Sequence, residues 1–192
     1  MNHSRLVWSC GTILASIACL PLAAPAAAPA APAAARAGCT DFVWDVHHER
    51  SLFAGPAQSL RAGTAPASAP SIRADHFYAL QLSPQPHVQF EAPPGKVMLT
   101  DGDYAGLVRF RLAAPGSYRV SLDRPFWIDV VAHGKLLPTE DFQGQRGCRA
   151  PHKIVEFMMP AHEELWLQFS GASAAQVHVA ITRAPAPAAG AH

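Results

Sequence analysis

Apolar and polar residues alternate with a period of two along most of this chain. Val108, Phe110 and Leu112 alternate with Arg109 and Arg111, and Tyr118, Val120 and Leu122 with Arg119, Ser121 and Asp123. The same beat recurs in Phe126, Ile128 and Val130 against Trp127, Asp129 and Val131. It returns in Leu165, Leu167 and Phe169 against Trp166, Gln168 and Ser170, and in Val177, Val179 and Ile181 against Gln176, His178 and Ala180. Successive side chains of a strand point to opposite faces, so each run predicts a half-buried strand with one wet face. Further strands are expected at 42–46, 77–82, 88–90 and 154–159, and no stretch carries a sustained helical stripe. Turn chemistry separates the runs: Ala114-Pro115-Gly116-Ser117, Asp101-Gly102-Asp103, His133-Gly134-Lys135 and Pro94-Gly95. About eight or nine short strands with such turns predict an all-β, antiparallel sandwich of jelly-roll or immunoglobulin-like type. Residues 54–74, rich in Gly, Pro, Ala and Ser, are expected to form a long surface loop or to carry a short edge strand.

The ends of the chain break the pattern. Residues 1–26 have a short basic start, an apolar run from Leu6 to Leu22 and small residues offering Ala-x-Ala cleavage sites, the layout of an export signal. Residues 27–38 are a Pro/Ala-rich linker, 39–183 the expected folded domain, and 184–192 a Pro/Ala tail expected to be disordered. The apolar run is short, holds Ser9, Cys10, Gly11 and Thr12 and ends at Pro21, so a stable membrane span is not expected. A periplasmic or secreted location follows. Loss of the leader also takes Cys10 and Cys19 with it, leaving Cys39 and Cys148 for an oxidising compartment. Their pairing would bind the start of the domain to a late loop, stabilising by up to about 4–5 kcal/mol in the chain-entropy model.

Charge then narrows the partners. The whole chain carries a net charge of +1, and Arg5 and Arg36 are the only charges before Cys39. Without them the balance is slightly acidic, and there is no basic surplus for nucleic acid and no polybasic stretch for anionic lipid.

Several side chains invite a chemical reading. His47, His48 and Glu49 are metal-ligand candidates, as are Met158 and His162 for a soft metal such as copper. Neighbours on a strand point apart, however, and no His-x-His pair exists in the chain. Asp101 and Asp103 have carboxylates for calcium but no distal glutamate at EF-hand spacing. There is no Gly-x-Ser-x-Gly elbow, and no cofactor is called for. Trp127 and Trp166 fall opposite the aliphatic set of their strands. With Arg109, Arg111, Arg119, Asp129 and His178 they make the expected binding face, for a protein or glycan partner.

Certain segments carry a likeness as well. They are Ala105-Gly106-Leu107-Val108, Gly116-Ser117-Tyr118-Arg119-Val120, Trp127-Ile128-Asp129-Val130-Val131, Gly147-Cys148, Lys153-Ile154-Val155-Glu156-Phe157 and Leu167-Gln168-Phe169-Ser170-Gly171. Together they resemble a family of short exported proteobacterial proteins of unassigned function, some labelled homogentisate 1,2-dioxygenase. That label implies an iron site of the His-x-His…Glu kind. The strand pattern more loosely resembles pre-peptidase C-terminal β-sandwich domains, which implies an accessory binding role. A non-catalytic exported binding module is the reading these observations favour. The alternative is a small metalloprotein or metalloenzyme, iron dioxygenase-like or copper-binding, using the histidines.

Overall fold

A computed structural model describes Cys39 and residues 42–96 and 103–185. The export segment, most of the linker, Asp101 and Gly102 of one expected turn, and most of the tail lie outside these residues. In chain order the elements are α1 (His47–Phe53), β1 (Gln58–Arg61), β2 (Phe77–Gln81), β3 (Ser83–Pro84), β4 (Tyr104–Phe110) and β5 (Gly116–Leu122). They continue with β6 (Trp127–Ala132), β7 (Lys135–Leu136), β8 (Thr139–Gly144), β9 (Lys153–Met159), β10 (Leu165–Ala172) and β11 (Gln176–Arg183).

The strands form two sheets, β1-β2-β11-β5-β9-β8 and β3-β4-β10-β6-β7, antiparallel throughout except for the β1–β2 pair. Their inner faces meet in one core. Tyr118, Val120, Phe157, Val179 and Ile181 of the first sheet join Val108, Phe110, Ile128, Leu165, Leu167 and Phe169 of the second. The fold is therefore the expected all-β sandwich, and alternation places the core-facing set correctly in all five runs. Both β6 and β7 belong to a hairpin closed by His133 and Gly134, at φ 50° and 70°. A two-residue hairpin loop needs positive φ at both positions, which Gly134 supplies without strain.

The disulfide also forms as expected, between Cys39 and Cys148 with 5.1 Å between their Cα atoms. It joins the start of the domain to the loop between β8 and β9.

Three local expectations are corrected, and for residues 54–74 the edge-strand alternative holds. Residues 42–46 are not a strand but an irregular approach to α1, a seven-residue helix that the pattern did not announce. Residues 88–90 do not pair either; they begin a strap over the outer face of the second sheet. There Gln168 holds both the carbonyl and the N–H of Ala92, at 2.9 and 3.4 Å. The strand β8 had no forecast, and the count rises to eleven strands among the described residues, two of them only two residues long. The 54–74 stretch carries the edge strand β1 and runs on to pair Gly63 and Ser71 with Leu107 and Arg109 of β4.

Candidate functional site

One corner of the sandwich gathers Trp127, Asp129, Lys96 and Lys153. Trp127 opens β6, and its indole N–H donates to Asp129 Oδ1 at 3.1 Å. The Gly95 N–H donates to Asp129 Oδ2, also at 3.1 Å. A side chain at position 95 would strike Asp129: an added Cβ lies 2.9 Å from Oδ1 and 3.1 Å from Leu136 Cδ1. Glycine is thus what lets the strap lie this close to the carboxylate. Lys96 and Lys153 place their ammonium groups 5.5 and 5.7 Å from the Trp127 ring centroid, within cation–π range. Lys153 Nζ also donates to the Phe126 carbonyl at 3.2 Å.

Burial perturbs both charges. It pushes the Asp129 carboxyl above its ordinary range, against the opposing pull of the Gly95, Trp127 and Gln168 hydrogen bonds and of the Lys153 charge. It lowers the Lys153 ammonium, and the neighbouring Lys96 charge lowers it further, while Asp129 works the other way. The two shifts have one cause, the withdrawal of water from neighbouring charges at this corner.

Beside this corner runs a groove of about 460 Å³, floored by Ile128 and Val155 and bordered by Lys153, Phe142, Glu140 and Thr139. Its origin is topological. Strand β8 is the edge of the first sheet, whereas the second sheet ends on this side in the two-residue β7. Phe142 pairs with the buried Val155 and so points to the core side, yet it is 64% exposed. The sandwich is open there, and an apolar inward position faces water.

The seven residues expected to share a face are divided between two. Arg119 and His178 lie on the first sheet; Trp127, Asp129, Trp166 and Arg109 lie on the second, and Arg111 just beyond β4. Outer faces of a sandwich point apart, so these side chains cannot meet one ligand. Two of them are not wet at all. Arg119 is 6% exposed and Asp129 7%, because residues 42–53 and the 88–96 strap cover their faces. The two tryptophans are partly buried and separated: Trp127 is opposite Ser170, four residues along β10 from Trp166, roughly 13 Å away at strand spacing. The strap crosses between them. Arg109 and Arg111 share Glu164, each at 3.7 Å, an exposed pairing of little energetic weight.

The metal candidates also disperse. Glu49 is 2% exposed and turned into the fold, where Thr182 Oγ1 donates to its Oε1 at 2.8 Å and Arg119 lies 3.6 Å away. His47 and His48 are exposed on α1, and His48 Nε2 meets Asp75 Oδ1 at 2.9 Å. Met158 and His162 are exposed elsewhere, Met159 being the core residue of its pair at 1%. No group of three His, Cys, Asp or Glu side chains among the described residues is placed to hold a metal ion. Among the described residues, these candidates are not brought together as the iron site that the dioxygenase label implies would require.

Scans of protein-family models and of curated proteins return no match to this chain. The sequence had pointed to Trp127 and Asp129. It did not point to Lys96, Lys153 or Phe142. A signal for the last existed: Phe142 is the lone apolar residue in Thr139-Glu140-Asp141-Phe142-Gln143-Gly144.

Proposed function

We propose that this chain is an exported, non-catalytic binding module that takes up an extended polypeptide segment along the groove beside β8. Export to the periplasm or the medium rests on the leader and accords with the Cys39–Cys148 bridge. No described helix is long and apolar enough to cross a membrane. The observation that carries the binding proposal is Phe142, a core-side position on an edge strand left exposed over an apolar floor. An added strand would extend the first sheet along β8, whose outer edge pairs with no strand among the described residues, and bury Phe142 with its own inward side chains. The charges fit such an occupant. Lys153 lies at the Gly144 end of β8, and Glu140 and Asp141 lie toward the Thr139 end. A segment with an acidic residue at one end, apolar residues in the middle and a basic residue at the other complements all three zones.

The test is selection from a peptide display library with the oxidised full chain, followed by affinity measurement of the enriched peptides. Enriched sequences should show that charge order, and Phe142→Asp should weaken binding at least tenfold while Trp166→Ala leaves it unchanged. Failure to enrich any peptide, together with Trp127-dependent capture on a glycan array, would replace the polypeptide by a carbohydrate.

A further inference from the structure

A second cleft, at the end of the molecule near the disulfide, is independent of the groove. Two adjoining cavities of about 310 and 240 Å³ share Asp123, Arg124 and Arg149 as lining. The first is walled by Phe53, Phe77 and His178, the second by His152 and the Cys148 loop.

We propose that this cleft binds a small ligand carrying an oxyanion, a carboxylate or a sulfate, on a flat apolar body. Two guanidinium groups border it, and guanidinium forks match such oxyanions. The one carboxylate in the cleft is already engaged. Asp123 Oδ1 accepts the His178 backbone N–H at 2.8 Å, Oδ2 meets His178 Nδ1 at 2.8 Å, and Arg124 Nε lies 3.7 Å from Oδ2. Arg124 Nε is buried without a hydrogen-bond partner, and Arg149 is exposed with no ion pair among the described residues. Both histidines use Nδ1 on the protein, His178 with Asp123 and His152 with the Cys148 carbonyl at 3.0 Å, which leaves Nε2 of each for a ligand.

The apolar half of the claim rests on a row of rings, His178 stacked on Phe77 and Phe53 tilted against Phe77 at 41°. His178 and Phe77 lie 5.5 Å apart between centroids at 27°, and Phe77 and Phe53 4.5 Å apart. A planar ligand ring extends that row while its oxyanion reaches the arginines. The cleft is also built on fixed parts. Cys148 is tied to Cys39, and the His152 N–H donates to the Leu122 carbonyl at 2.7 Å, so the loop bearing Arg149 is held at both ends.

Benzoate is the probe and benzamide its neutral counterpart, titrated into isotope-labelled, oxidised full chain and followed by amide chemical shifts. Benzoate should move the amide signals of residues 123, 124, 147–150, 152 and 178, with Arg124→Ala and Arg149→Ala each weakening it at least tenfold. Arg149 is exposed, so its variant tests the site without threatening the fold. The proposal is overturned if benzoate moves none of these signals, if Arg149→Ala binds it as well as the parent, or if benzamide binds equally.

Discussion

The fold withdraws much of the water around Lys153, and the consequence is a stability that depends on pH. Burial and the neighbouring Lys96 lower its pKa below the ordinary 10.5. Between that depressed value and 10.5 the unfolded chain binds a proton that the folded chain has released. The unfolded state then holds more protons, so Lys153 makes stability rise with pH across this window. Below it, the folded chain carries the full cost of a desolvated ammonium. Lys153→Met should remove that pH dependence. Urea titrations of both proteins at several alkaline pH values should give a stability difference, parent minus variant, that grows steadily toward pH 10.5. A difference that stays flat would mean that Lys153 is as well solvated in the fold as out of it. Asp129 has the mirror-image shift: its raised pKa makes stability fall as pH rises through the window above 3.8. Asp129 is present in parent and variant alike, so the parent-minus-variant difference reports on Lys153.

At the scale of elements, α1 shows how a short helix survives with no apolar stripe. The seven residues His47–Phe53 are too few to be stable alone. Their one buried side chain is a carboxylate, Glu49, received by Arg119 and Thr182 on the outer face of the first sheet, with Phe53 adding a ring contact to Phe77. Arg119 is the hub. It meets Glu156 at 3.0 Å, donates to the Asp45 carbonyl at 2.8 Å and stacks under Trp44 at 4.5 Å. Glu49→Gln keeps the shape but withdraws one charge from this buried set, and should cost about 2 kcal/mol. Hydrogen exchange should show the loss concentrated in residues 42–53; a loss spread evenly over the sandwich would show that α1 and the sheets open as one unit. The same contact explains what the sequence could and could not reveal. Strands such as β5 and β10 were legible because their inner faces are uniformly apolar. The outer face of the first sheet read as wet because it holds Ser121, Thr182 and Arg119, whereas it is the polar seat of a helix. Strand β8 was illegible because, as an exposed edge, it has one apolar residue and no period to detect. The Trp127–Asp129 half of the corner beside the groove could be read from β6 alone, but Lys96 and Lys153 arrive from distant segments, which no local pattern predicts.

For the folded domain, Cys39 and residues 42–53 are fastened twice: covalently by Cys39–Cys148 and non-covalently by Glu49 on Arg119. Gln143 adds to the second fastening by accepting the Val43 N–H at 2.9 Å. The two act on different states. The bridge, spanning 109 positions, restricts mainly the unfolded chain, so removing it should cost about 4 kcal/mol globally. The ion pair exists only in the folded state and governs whether this segment lies on the sheet. With the bridge intact, a segment released by Glu49→Gln stays tethered near its seat at high effective concentration and rebinds. With the bridge removed and Glu49 intact, the seat still holds it. Only the loss of both should free the segment. Limited trypsin digestion reads this directly, because Arg50 lies within α1. Under native conditions cleavage after Arg50 should be slow in Glu49→Gln and in the Cys39→Ser/Cys148→Ser variant, and rapid when the three substitutions are combined. Rapid cleavage in the cysteine variant alone would show that the bridge, not the buried charge, seats the helix. Equal resistance in all of them would place the anchor in the Trp44 and Val46 packing.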